Sequence, residues 1–217
     1  MKILLAFLVT LLSFTESFAT AQTPDKIIYK GEEYALLTNP LEQYFKLHPE
    51  KRPKSNIGSS ALWRGYIATF EFTDNGLMIK DIEVMSETKD EEIEMKSVLE
   101  EIFPQPTDRK ADWYTGMLTL PYGKMINYVH MGYASTYENY ILIEINQGKF
   151  IKDFHFDHTA YRDYKQKQFD EFKKTEVYLL KEQELQEKGL EKKHVEDFLK
   201  KFANDYTENK IPALNKK

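Results

Sequence analysis

The sequence predicts an α+β protein: an antiparallel sheet built from two related β-hairpin/helix units, followed by a C-terminal helical segment. Three observations predict it. Two blocks, residues 62–85 and 113–156, are rich in aromatic and β-branched residues and are divided by turn-forming Asp, Asn, Gln and Gly. A stretch with helical spacing follows each block. From Thr159 onward the chain is highly charged, with apolar residues three or four apart.

The elements follow in order. Ile27 to Lys30, Gly31, then Tyr34 to Leu37 predict a tight hairpin. Asn39-Pro40 opens a short helix over 41–47, with proline in its first turn. Leu62 to Thr73, the turn Asp74-Asn75-Gly76 and Leu77 to Met85 predict a second hairpin. Ile93, Met95, Val98, Leu99 and Ile102 have helical spacing, so a helix is expected over 91–103, stopped by Pro104. Trp113 to Leu120, Lys124 to Met131, Tyr137 to Ile145 and Lys149 to Phe156 are strand-like, with Asn146-Gln147-Gly148 turning the last pair. Beyond Thr159, two or three helices are expected, broken at Gly189 and continuing past Phe202 and Tyr206.

The two blocks resemble each other. Gly76-Leu-Met-Ile-Lys-Asp-Ile-Glu-Val84 aligns with Gly148-Lys-Phe-Ile-Lys-Asp-Phe-His-Phe156, keeping Gly, Ile, Lys and Asp. An internal repeat over about 62–103 and 113–172 is therefore expected within an α+β domain at 22–158. The helical segment at 159–217 is expected to pack on that domain.

The first 21 residues have the composition of a cleavable signal peptide. Lys2 is the positive start, Ile3 to Leu12 is the apolar run, and Ala19-Thr20-Ala21 is the small-residue cleavage site. The run is about half the roughly 20 residues a membrane span needs. No other apolar stretch of that kind follows, and with no cysteine there is no lipid attachment point. The expected address is therefore the periplasm or the exterior, without a membrane anchor after cleavage and without disulfides. The net charge of −5 excludes the basic footprint of a nucleic-acid binder.

Catalytic grammar is missing. No cysteine nucleophile, Gly-x-Ser-x-Gly elbow or glycine-rich phosphate loop occurs, and no cofactor is expected. His155, Asp157 and His158, with Asp153, form the weak metal alternative, because alternate strand residues share a face. The repeat argues against it, since it places Asp153 and His155 where Asp81 and Glu83 stand, on a solvated face. A periplasmic or secreted hydrolase using His130, Glu138, His155, Asp157 or His158 is the second functional reading.

The leading reading is a non-catalytic protein that binds a protein or small ligand in the envelope or outside the cell. Residues 121–140 set Tyr122, Tyr128, Tyr133, Tyr137 and Tyr140 among small polar neighbours, a composition that recognition surfaces use. Trp63-Arg64-Gly65-Tyr66 opens the matching strand of the first block, and Arg and aromatics dominate binding hot spots. The candidate contact residues are Trp63, Arg64, Tyr66, His130, Tyr133, Tyr137, Glu138 and Asn139. The run from Leu62 to Glu71, with Leu77 to Ile82 after its turn, resembles a W-R-G-Y-x-A-type hairpin of an uncharacterised bacterial exported-protein family. The resemblance implies a folded unit and no activity.

Overall fold

A computed structural model describes residues 20–55 and 57–201. The expected leader up to residue 19, and Phe202 and Tyr206 of the expected last helix, lie outside them. The fold is α+β, with five α-helices and two sheets among the described residues.

The chain opens with β1 (Asp25–Tyr29) and β2 (Glu32–Leu36), an antiparallel hairpin. Its turn needs left-handed backbone at both Lys30 and Gly31, φ 53° and 84°. Helix α1 (Leu41–Leu47) follows and buries Leu41 and Phe45. Then come β3 (Ile67–Thr73), β4 (Gly76–Glu87) and β5 (Ile93–Ser97). The first sheet has the order β2-β1-β3-β4-β5, with β1 parallel to β3.

β4 shows how the sequence sets its own geometry. Leu77 and Ile79 face the core, but so do Ile82 and Val84, which are out of phase with them. A bulge opposite Thr69 and Phe70 absorbs the extra residue, so Lys80 and Asp81 both leave the interior.

Short helix α2 (Leu99–Ile102) buries its two ends. The second sheet is an antiparallel meander of β6 (Gly116–Asn127), β7 (Thr136–Asn146) and β8 (Lys149–Asp157). Central β7 is buried on both faces. Ile141, Ile143 and Ile145 enter the main core with β1, β3 and β4, while Tyr140 and Leu142 face helix α3 (His158–Phe172). Asp157 caps α3 by accepting the Ala160 N–H at 2.8 Å. Helices α4 (Glu176–Glu187) and α5 (Lys192–Lys201) close on the end of α3. Phe169, Phe172, Tyr178, Val195 and Leu199 form their shared cluster. Of the described helices of this segment, α3 makes the main contact with the sheet, on β7 and β8. No helix among the described residues is long and apolar enough to cross a membrane.

The architecture differs from the sequence expectation in four places. The strands expected at Trp113 to Leu120 and Lys124 to Met131 are one irregular strand, β6, and residues 128–131 lie beyond its end. The two hairpins belong to two sheets, not one, because β1 and β5 occupy the outer edges of the β3–β4 pair and leave none for the second block. They meet turn to turn instead: the Leu77 N–H donates to the Gly148 carbonyl at 2.8 Å, so the two glycines that align in the repeat touch. The helix expected over 91–103 is strand β5 followed by the single turn α2. Ile93 and Met95 are exposed, so no buried face rewards a helix there, whereas pairing with β4 satisfies the backbone. Trp63 to Gly65 form a turn before β3, in which Gly65 has φ 84° and donates to the Leu62 carbonyl at 2.9 Å.

Candidate functional site

Residues 20–25 run between that turn and the loop 128–135, and they bind the two together. The Thr23 N–H donates to the Ala61 carbonyl at 2.8 Å, and the Gln22 N–H to the Gly132 carbonyl at 3.0 Å. The Gln22 side chain donates to the Ser60 carbonyl at 2.7 Å and accepts the Trp63 N–H at 3.3 Å.

Beneath this clamp lies a buried polar network. Arg64, 3% exposed, donates to the Thr23 carbonyl at 3.0 Å and to Asp25 Oδ1 at 3.2 Å. It also donates to the Tyr133 hydroxyl, which in turn donates to Asn39 Oδ1 at 2.9 Å. Asp25, fully buried, additionally accepts the Ala68 N–H at 2.9 Å. Next to it the Tyr66 hydroxyl donates to Glu42 at 2.8 Å, and Arg52 grips both Glu42 oxygens at 3.0 and 2.6 Å. Burial pushes the Asp25 carboxyl up to about 6, against the pull of Arg64 and the Ala68 N–H. Burial works against the Arg64 charge too, but Asp25 and Tyr133 hold the guanidinium above its ordinary value. Burial also raises the Tyr133 and Tyr66 hydroxyls, so neither ionises near neutrality.

This geometry redistributes the candidate contact residues. Arg64 and Tyr133, far apart in sequence, do come together, but as an internal tie. Tyr66 is in the core, and half-buried Tyr137 packs its ring against Tyr140. Glu138 accepts the Lys124 N–H at 2.9 Å and, with Asn139, fills the space over Gly123, where β6 bulges. All six of these side chains are engaged within the fold. The exposed apolar side chains at this end are Trp63 at 68%, Tyr128 and Ile126 at 52%, and Met125 at 47%. Tyr128 stacks edge-on against exposed His130, with ring centroids 4.6 Å apart.

The residues of the hydrolytic and metal readings are otherwise engaged. Asp157 caps α3, and His158 is that helix's first residue. Asp153 does not lie on a solvated face: it accepts the Tyr29 hydroxyl at 2.7 Å and the Lys30 ammonium at 2.9 Å, joining the second sheet to the first. The Tyr29 bond, then Lys30, pull its carboxyl down to about 2. His155 reaches that same Asp153 oxygen at 3.4 Å. Among the described residues no group of three or more His, Asp or Glu side chains is arranged to hold a metal ion.

Sequence reasoning missed Asp25, Asn39 and Glu42, which anchor the network from the first hairpin and α1. It also missed an open depression of about 340 Å³ lined by Tyr44, Lys51, Phe103, Asp108, Lys110 and Trp113. Those residues come from separate segments that no local pattern connects. Compared with known proteins, the chain matches no family model, no curated protein and no solved structure.

Proposed function

We propose that this is an exported, non-catalytic binding protein that takes a protein partner at the end of the fold carrying Trp63, Tyr128 and His130. One observation carries the reading. Trp63 is the most exposed aromatic side chain at that end, yet its backbone N–H is held by the Gln22 side chain. The residue after it is a buried arginine on a buried aspartate, and the residues flanking the corner are clamped by Gln22 and Thr23. A buried ion pair is costly and adds little net stability. Its use here is to fix a corner that presents a large apolar side chain to solvent, which is how hot-spot residues are preorganised. The contact side chains project from a corner, a loop and a strand end, and none of them lines the depression at Tyr44 and Trp113, which favours a protein over a small ligand.

Export rests on the leader-like composition of the first 21 residues. Cleavage after Ala21 removes the Thr20 bonds to Ser60 and to the Gln22 side chain and keeps the Gln22 side-chain bonds to Ser60 and Trp63.

The test is capture of envelope and extracellular proteins of the source cell on the immobilised mature chain. Trp63→Ala and Tyr128→Ala, each retaining the parental melting temperature, are expected to weaken a stoichiometric partner by about 30-fold or more, the range of a hot spot. Unchanged capture by the double variant refutes the proposal.

A further inference from the structure

We propose that the outer edge of β5 joins two copies of this chain, extending their five-stranded sheets into one across a twofold axis at Met95. The inference is independent of the Trp63 corner.

β5 is the last strand of its sheet, and all five of its residues are exposed. The direction of its backbone groups follows from the ladder with β4. In an antiparallel ladder, opposed residues alternately exchange hydrogen bonds with each other and turn those groups away. Just outside the strand, the Val98 N–H donates to the Ile82 carbonyl and the Thr88 N–H to the Glu92 carbonyl, both at 2.8 Å. Counting inward in the register, Val84–Lys96 and Ser86–Glu94 are the exchanging pairs. Ile93, Met95 and Ser97 therefore direct their N–H and C=O groups outward. An unsatisfied edge of this kind is a template for another strand.

The side chains select which strand. Place a second β5 antiparallel with Met95 opposite Met95 of the other copy. Ile93 then faces Ser97, and these outward-directed residues exchange hydrogen bonds across the seam. Between them Glu94 lies opposite Lys96, once on each side of the axis, in the non-exchanging positions where side chains approach most closely. A two-residue shift either way keeps the backbone bonds but sets Glu94 against Glu94, or Lys96 against Lys96. The sequence Ile-Glu-Met-Lys-Ser is thus self-complementary in one antiparallel register and repulsive in the neighbouring ones. On one face the seam gathers exposed Ile93 and Met95, 60% and 38% accessible. The paired segment ends at Ser97, because the chain leaves the strand there and enters α2. Such an interface is isologous, as a closed dimer requires.

Sedimentation of the full mature chain over a concentration series tests this. The parent is expected to show a monomer–dimer equilibrium. Met95→Pro removes one outward N–H, at a position where an edge strand tolerates proline, and is expected to sediment as a monomer with an unchanged far-UV spectrum. Glu94→Lys and Lys96→Glu each set like charges across the seam and are expected to weaken the dimer about tenfold, while the double swap restores it. The charge swaps lie on the surface, so they decide the matter even should the proline variant fail to fold. A chain that stays monomeric at every concentration overturns the proposal. So does a dimer indifferent to both Met95→Pro and the charge swaps, or one abolished by Trp63→Ala instead.

Discussion

Asp25 makes the buried network measurable. Its carboxyl is fully buried, and its folded-state value is about 6 against 3.8 for the free side chain. A carboxyl raised on folding favours the fold while protonated. Its contribution is fully present below about pH 4 and is lost as pH rises through about 6. The shift of 6 − 3.8 = 2.2, at 1.36 kcal/mol for each pH unit, gives about 3 kcal/mol between those limits. Other titrating carboxylates, Asp153 among them, overlie this change in the parent alone. The perturbation is therefore Asp25→Asn, which removes one titration and leaves the others in place. Urea unfolding of both proteins at pH values from about 3.5 to 7 gives two stability curves. Their difference is expected to change by about 3 kcal/mol across that window, with the parent losing ground as pH rises. Parallel curves refute the reasoning, because Asp25 would then have the same affinity for protons folded and unfolded.

Five further variants test the same geometry. Gly148→Ala places a Cβ 2.7 Å from the Ala111 carbonyl oxygen at φ 70°, so it is expected to cost more than about 2 kcal/mol in urea unfolding. Gly31→Ala, at φ 84° with open space around it, is expected to cost only about 1 kcal/mol. Tyr29→Phe removes the bond that most lowers Asp153. A lowered carboxyl stabilises above about pH 4 and loses that contribution as pH falls towards 2, so the variant's acid unfolding limb should move to higher pH. Trp63→Ala should change stability by less than about 0.5 kcal/mol, whereas Tyr66→Phe, which leaves half-buried Glu42 with one donor fewer, should cost about 1 kcal/mol.

The sequence made the strands and turns of this fold legible where side-chain chemistry and backbone need coincide. Lys30-Gly31 and Gln147-Gly148 are turns because the backbone there has positive φ, and glycine marks it. The out-of-phase apolar residues of β4 foretell its bulge. The failures have equally local causes. Ile93, Met95, Val98 and Leu99 have a spacing that suits a helix, but only the last two are buried, and edge pairing decided the rest. The alignment of Gly76 to Val84 with Gly148 to Phe156 pointed to two similar hairpins, but not to separate sheets, because sheet membership depends on which edges β1 and β5 occupy. At the candidate site, Arg64 and Tyr133 stood out by type, but as contact residues for a partner, whereas the structure ties them to each other inside the fold. Their burial was illegible because it depends on Asp25, Thr23 and Asn39, which reach them from other elements. Trp63 is exposed for the same reason: the turn that buries Arg64 points its neighbour outward.

The central claim is that the corner at Trp63 is the protein's contact surface. Photo-crosslinking from position 63 in the source envelope tests it most directly, with a probe at Leu47 as the control. Leu47 is 73% exposed and sits at the end of α1, outside the proposed surface. The account predicts one discrete protein adduct from position 63, shared with a probe at 128 and missing from 47. No adduct from position 63, or the same adducts from 63 and 47, would contradict it.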